Sequence, residues 1–282
     1  MVEIARIGED IDLSRFDESH YFHSVNRFFQ TNIAENNYRN FVVVNGVPIH
    51  YEPSYHRISV NLSAGADSTM LTYILCMIIE HLGTGTQILP TSIVRYYDAA
   101  EFSEKAKERV YGWLKQRFPN IIGEHIWGFI PPAMEFTPLS QLNLQQREHK
   151  QFAHLVQQGA GADVLYFIQF NEWATRKYGF QAMYNGTTTN PVNTVIPNVP
   201  HFRDNFDLSQ TQVMIQPENI CPFTYMEKNW VTAQYDNFGV QDLFALTQSC
   251  ESVAGGCNRL DHCFHCAERK WSEDQKHLFL NK

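Results

Sequence analysis

The chain has 282 residues, of which 44% are hydrophobic and 18% charged, so it can bury a full core and is too apolar for extended disorder. Its formal net charge of -8 argues against a nucleic-acid partner, because surfaces that bind nucleic acid are normally basic. The chain starts without the basic and apolar regions of a signal peptide, and its longest apolar run, Met70 to Ile79, is too short to span a bilayer. We therefore expect a globular cytoplasmic protein that does not enter a membrane.

The first segment, residues 1–55, is predicted to be an N-terminal extension packed on the core. Within it, the stretch Phe41 to Ile49 consists of two β-branched runs separated by Asn45 and Gly46. An Asn-Gly pair between such runs is typical of a type I′ turn. The sequence therefore predicts a β-hairpin here.

From Arg57 onward, apolar strands alternate with helical patterns. The predicted elements are, in order, strand Ile58–Leu62, helix Ser68–Leu82 ended by Gly83, strand Ile88–Tyr96, helix Phe102–Phe118, strand His125–Ile130, helices Ser140–Gln158 and Ala162–Tyr178, and strand Gln181–Tyr184. This alternation predicts an α/β domain, residues 56–248, with a parallel sheet and helices on both faces. Ligands bind such sheets beyond the carboxyl ends of the strands. Residues 186–222 are rich in proline, and we interpret them as a long functional loop.

The segment joining the first strand of this domain to its first helix reads Ser63-Ala64-Gly65-Ala66-Asp67-Ser68. Small residues allow a tight turn in which backbone amides and the helix N-terminus face an anion, and Ser63 and Ser68 add hydroxyl donors. A carboxylate beside phosphate makes sense if Asp67 helps to hold Mg²⁺ or caps the loop structurally. The alternative is a turn of small residues that binds no ligand.

This loop resembles the Ser-Gly-Gly-x-Asp-Ser signature of the PP-loop ATP pyrophosphatases, with Ala64 at the second position, where the family has glycine. The resemblance implies the adenine nucleotide alpha hydrolase-like fold, with ATP bound by Ser63 to Ser68 and catalytic roles for Asp67 and Ser68. It also implies cleavage of ATP between its α and β phosphates, which yields an adenylate. By position, the residues that contact adenosine would be Arg95, Tyr96, Tyr97 and Asp98, although a strand end without a ligand is an equal alternative.

Four of the six cysteines lie close together near the C-terminus, with the spacing C-x6-C-x5-C-x2-C. They are Cys250, Cys257, Cys263 and Cys266. Four thiolates complete a tetrahedral zinc site and leave no position open for water, so the spacing predicts structural Zn²⁺ rather than free thiols or an iron–sulfur cluster. Residues 249–282 are therefore predicted to form a zinc-binding C-terminal element.

Several elements of the last third of the chain resemble the family of 7-cyano-7-deazaguanine synthases. They are the run Pro222 to Lys228, the pair Gly239-Val240, the step Leu246 to Cys250, the cysteines, and the closing Glu268 and Arg269. The resemblance implies that Lys228 approaches the ATP phosphates; the alternative is an exposed lysine that begins a helix. The family's Gly-Arg-Asn and deazaguanine-pocket elements have no counterpart here, and Asn190 stands where the family has an acid.

We therefore expect an ATP-dependent ligase or synthetase that uses Mg²⁺ and adenylates a carboxylate or amide oxygen. Its acceptor would be a deazapurine-like small molecule or a macromolecule, and the sequence leaves a homodimer open. Two alternatives remain. One is another PP-loop enzyme that modifies a nucleobase, RNA or protein, and the other is a nucleotide-binding module without turnover, which Ala64 and Asn190 would suit.

Overall fold

The structure is a computed structural model. It describes residues 4–6, 41–95, 100–130, 137–141, 162–188, 220–223, 226–249 and 264–280. The predicted helix Ser140–Gln158 lies almost entirely outside these ranges, and residues Leu139–Gln141 form a short 3-10 helix. None of the helices in the described ranges is long and apolar enough to cross a membrane.

A four-stranded sheet with all strands parallel forms the centre of the fold. Its strands are β4 (Arg57–Asn61), β5 (Gln87–Arg95), β6 (Ile126–Ile130) and β7 (Ala182–Tyr184). They lie side by side in the order β6-β5-β4-β7. Ile220 adds a parallel bridge to Tyr184 beyond β7. The α/β architecture with a parallel sheet is confirmed, and it places the carboxyl ends of all four strands at one edge.

Six α-helices accompany the sheet in the described part of the chain. They are α1 (Ala66–Leu82), α2 (Ala100–Arg117), α3 (Ala162–Tyr178), α4 (Lys228–Asn237), α5 (Gln241–Leu246) and α6 (Phe264–Gln275). Gly83 ends α1 in the left-handed conformation, as the sequence predicts, and its amide donates to the Ile79 carbonyl. Helix α1 begins two residues before the predicted start, because Gly65 is its N-cap, so Asp67 and Ser68 lie in the first turn.

Both faces of the sheet are covered by helices, as successive strand residues show. Ile88 belongs to a core cluster shared with α1, α2 and α4, whereas the next residue, Leu89, packs with Phe170 and Ala174 of α3. Neighbouring residues of a strand point to opposite faces of the sheet. Helix α3 therefore covers one face, and α1, α2 and α4 belong to the core on the other.

The N-terminal hairpin is also present. Strands β2 (Phe41–Val44) and β3 (Val47–His50) pair antiparallel, and β1 (Ile4–Arg6) pairs with β2. Asn45 and Gly46 both have positive φ, 46° and 81°, as a type I′ turn requires. The hairpin's apolar side chains join the main core.

Candidate nucleotide site

The loop between β4 and α1 leaves the sheet at the carboxyl end of an interior strand. The Leu62 amide donates to the Thr91 carbonyl at 2.7 Å, and the Ser92 hydroxyl donates to the Leu62 carbonyl at 2.6 Å. Both partners lie on β5, so the neighbouring strand fixes the direction of the chain just before Ser63. The predicted phosphate loop thus lies at the edge where parallel sheets bind ligands.

Ser63 and Ser68 close the loop by bonding to each other. Their Oγ atoms are 2.9 Å apart, and Ser68 Oγ also accepts from the Ser63 amide at 3.2 Å. Ser63 Oγ accepts from the Gly65 amide at 3.2 Å. Gly65, the N-cap of α1, has no side chain that could accept hydrogen bonds from the first turn. The amino end of α1 is therefore suited to an anionic ligand.

Ala64, at the position where the PP-loop signature has glycine, adopts a left-handed conformation with φ of 61°. This conformation is unfavourable by about 1–2 kcal/mol for a residue with a Cβ atom, whereas glycine adopts it without strain. The alanine methyl group is fully buried in the main core, and the Ala64 carbonyl accepts from the Gln248 amide at 2.8 Å. The chain therefore keeps the glycine-type turn with an alanine and holds it by packing and by a backbone bond.

The loop after β7 packs directly on the amino end of α1 at Gly186. A Cβ atom at this position would lie 2.6 Å from the amide nitrogen and Cα of Ser68, and 2.7 Å from the carbonyl carbon of Asp67. Only glycine fits this approach. It brings Thr188 close to Asp67, with 3.4 Å between Thr188 Oγ1 and Asp67 Oδ2.

Lys228, the first residue of α4, reaches the loop from the C-terminal third of the chain. Its Nζ is 3.1 Å from Asp67 Oδ2, and its side chain is only 5% exposed. The alternative of an exposed lysine at a helix start is therefore wrong. Two turns further along α4, the Tyr235 hydroxyl donates to the Ala66 carbonyl at 2.7 Å, so α4 holds the first turn of α1 at two points.

A second carboxylate binds the same ammonium group. Glu268 of α6 is fully buried, and its Oε2 is 2.6 Å from Lys228 Nζ. The sequence placed Glu268 within the C-terminal resemblance but gave it no role. In the sequence, Glu268 stands out only as an acidic residue two positions after Cys266. That spacing does not by itself indicate that it pairs with Lys228.

Polar side chains continue along the carboxyl edge of the sheet. Asn61 at the end of β4 accepts from the Thr91 hydroxyl at 2.7 Å and donates to Asn185, which follows β7. Asn61 and Asn185 lie at or just beyond the carboxyl ends of β4 and β7, the side of the sheet on which α/β folds bind ligands. The sequence does not indicate this cluster, because Asn61, Thr91 and Asn185 share no motif or local spacing.

His125 lies just before β6, next to the strand that anchors the loop. Its Nε2 is 2.7 Å from Ser92 Oγ, and its ring stacks on Tyr111 with 4.7 Å between the centroids. Since the Ser92 hydroxyl donates to Leu62, it accepts from His125, whose Nε2 therefore carries the proton. Burial, together with the Lys107 ammonium group, lowers the pKa of His125 to about 3, so this histidine is neutral at physiological pH.

The predicted site residues are thus brought together only in part. Ser63, Ala64, Gly65, Ala66, Asp67 and Ser68 form one loop, and Lys228 meets it. Tyr96, Cys250, Cys257 and Cys263 lie outside the described residues. Cys266 is in the first turn of α6, and within the described ranges no group of three His, Cys, Asp or Glu side chains could hold a metal ion. The four-cysteine zinc site remains a prediction.

No protein-family model and no curated protein sequence matches the chain. The PP-loop resemblance accordingly remains a prediction from the loop and the C-terminal motifs.

Proposed function

We propose that the chain is an ATP-dependent ligase of the PP-loop type, which binds ATP at the Ser63–Ser68 loop and transfers its adenylate to an acceptor. One observation supports this most strongly. The buried ammonium group of Lys228 lies 3.1 Å from Asp67 in the first turn of α1, and a glycine-type turn at Ala64 leads into that helix from the carboxyl edge of a parallel sheet. A cation at the amino end of a helix adds to the attraction of that end for phosphate.

Each group of the loop has a chemical task in this proposal. The first-turn amides of α1 and the Ser63 and Ser68 hydroxyl groups donate to the phosphates, with the helix dipole adding to the attraction. Lys228 stabilises the negative charge that develops on the leaving pyrophosphate. Asp67 would hold Mg²⁺, which would neutralise phosphate charge when bound, and Asp67 would have to give up its contact with Lys228 to do so.

The test of this function is pyrophosphate release from Mg²⁺-ATP. Asp67→Ala and Ser68→Ala should each abolish release while the far-ultraviolet circular dichroism spectrum stays native. Asp242→Ala is the matched control, because Asp242 is an acidic residue in the first turn of another helix, α5, and bonds Trp113 there at 2.7 Å. Normal turnover in either loop variant would show that this loop is not the phosphate site. Tight ATP binding without pyrophosphate release in the presence of any acceptor tested would favour a binding module.

The acceptor is tested by supplying 7-carboxy-7-deazaguanine, ammonium and Mg²⁺-ATP and measuring AMP and nitrile formation. The family elements that would hydrogen-bond the deazaguanine are missing from this sequence, and losing such buried partners can reduce discrimination by about 10⁴-fold. We therefore expect poor turnover of the free base and a preference for a related base or a larger acceptor. Efficient formation of 7-cyano-7-deazaguanine would contradict this expectation and support the closer family assignment in full.

A further inference from the structure

Helices α4 and α6 are joined by two buried polar contacts, one turn apart on each helix. Lys228 meets Glu268 at 2.6 Å, and four residues further along each helix Thr232 meets Ser272 at 2.9 Å. All four side chains are buried. Residues four apart lie on the same face of a helix, so the two contacts share one interface. They differ in that one is ionic and the other neutral.

A buried ionic contact between two helices carries a larger desolvation free energy than a neutral contact. Removing a carboxylate and an ammonium group from water costs several kcal/mol per ion, and a neutral pair such as Thr232 and Ser272 avoids that cost. The ionic pair also has a third member, because Lys228 Nζ lies 3.1 Å from Asp67 of the loop. Glu268 is therefore linked to the loop through Lys228.

A neighbouring residue of α6 holds the loop by a second route. Arg269 donates to the Thr247 hydroxyl at 2.8 Å and to the Thr247 carbonyl at 3.1 Å. The next residue, Gln248, donates its amide to the carbonyl of the left-handed Ala64 at 2.8 Å. Adjacent residues of α6 thus hold both ends of the phosphate loop, one at Ala64 and one at Asp67.

We propose that Glu268 is a positioning residue of the nucleotide site, which divides the attraction of Lys228 between two carboxylates and so keeps its ammonium group available to the phosphates. Without the negative charge of Glu268, the ammonium group pairs with Asp67 alone. That pair leaves the ammonium group less available to the ATP phosphates and the carboxylate less available to Mg²⁺. The proposal rests on the function proposed above and adds α6 to the nucleotide site.

The first measurement is the affinity for Mg²⁺ α,β-methylene-ATP, an analogue that cannot be cleaved between the α and β phosphates, by isothermal titration calorimetry. Glu268→Gln keeps the shape of the side chain and removes its charge. We expect affinity to weaken by about tenfold or more, because a hydrogen bond to a charged group contributes about 1.5–3 kcal/mol. Ser272→Ala, on the same helix face, should stay within about twofold. Equal affinity in Glu268→Gln and the unmodified protein would overturn the proposal.

A double-mutant cycle separates positioning from a general structural effect. If Glu268 acts through Lys228, Glu268→Gln should change affinity by less than about twofold in a Lys228→Met background. The double variant also removes a carboxylate that Lys228→Met alone would leave buried, so it should fold more readily than the single lysine variant. Additive losses in the cycle would show that Glu268 does not work through Lys228.

A third measurement does not depend on nucleotide binding. Lysine ammonium groups held by buried carboxylates exchange protons slowly enough to give ¹H–¹⁵N signals, and we expect one from Lys228 in the unmodified protein and, at the same chemical shift, in Ser272→Ala. In Glu268→Gln, where Asp67 alone holds the ammonium group, the signal should appear at a clearly different chemical shift. That change, in a protein that binds no ATP, would refute the proposed function and leave the positioning of Lys228 intact. An unchanged chemical shift in Glu268→Gln would refute the positioning role.

Discussion

Gly186 offers the sharpest test of how the candidate site is packed. Alanine at this position would put a methyl group 2.6 Å from the amide nitrogen of Ser68 and 2.7 Å from the carbonyl carbon of Asp67. Both are backbone atoms in the first turn of α1, so no flexible side chain can move aside. Overpacking of this kind costs about 1–3 kcal/mol, and the lower entropy of the unfolded alanine chain offsets about 0.4–1 kcal/mol of that. We expect Gly186→Ala to lower the free energy of unfolding by about 1–2 kcal/mol.

Urea denaturation followed by circular dichroism measures this change, and Gly112→Ala is the matched control. Gly112 lies within α2, and a Cβ atom there would meet no atom within 4 Å. Alanine is favoured over glycine in a helix by about 1 kcal/mol, so the control should be more stable than the unmodified protein. Replacing glycine by alanine should thus lower the free energy of unfolding at position 186 and raise it at position 112.

The candidate nucleotide site should respond to the same substitution. Since the methyl group would press on Asp67 and Ser68, Gly186→Ala should also weaken binding of Mg²⁺ α,β-methylene-ATP, whereas Gly112→Ala should not. If Gly186→Ala were as stable as the unmodified protein, the loop after β7 would not approach α1 as closely as described, and the site built on that approach would have to be revised.

Two further predictions concern acid stability and metal content. In the folded protein the pKa of His125 is lowered to about 3, against an ordinary value of 6.5. The neutral buried ring therefore contributes fully to the free energy of unfolding above about pH 6.5, and this contribution is lost as the pH falls toward 3. The loss is about 3 kcal/mol at pH 4.5. His125→Gln should reduce the fall in unfolding free energy between pH 6.5 and 4.5. His81→Gln, at an exposed histidine, is the control. An unchanged dependence of the unfolding free energy on pH in His125→Gln would contradict the burial argument. Elemental analysis of the purified protein should find about one zinc per chain, and Cys263→Ser should reduce folding yield more than nucleotide specificity, because structural zinc contributes folding free energy. Iron, or no metal with free thiols after gentle purification, would refute this site.

Features that depend on neighbouring residues could be predicted from the sequence. Asn45 and Gly46 specify a hairpin turn through their tolerance of positive φ, and Gly83 ends α1 for the same reason. Apolar runs separated by small residues indicate a strand, a tight loop and a buried helix. The candidate phosphate loop could be proposed from the sequence because its chemical groups lie within six consecutive residues, Ser63 to Ser68.

Only the tertiary structure decided how the distant parts meet at this loop. Glu268 lies 40 residues beyond Lys228, and Thr188 lies 121 residues beyond Asp67, so no local spacing relates either pair. The need for glycine at position 186 arises from a backbone approach between two segments and leaves no trace in its own φ. Whether Lys228 is exposed or buried likewise depends on α6 packing against α4. A sequence pattern reports the conformations that neighbouring residues favour, whereas contacts between distant segments are fixed by how helices and strands pack.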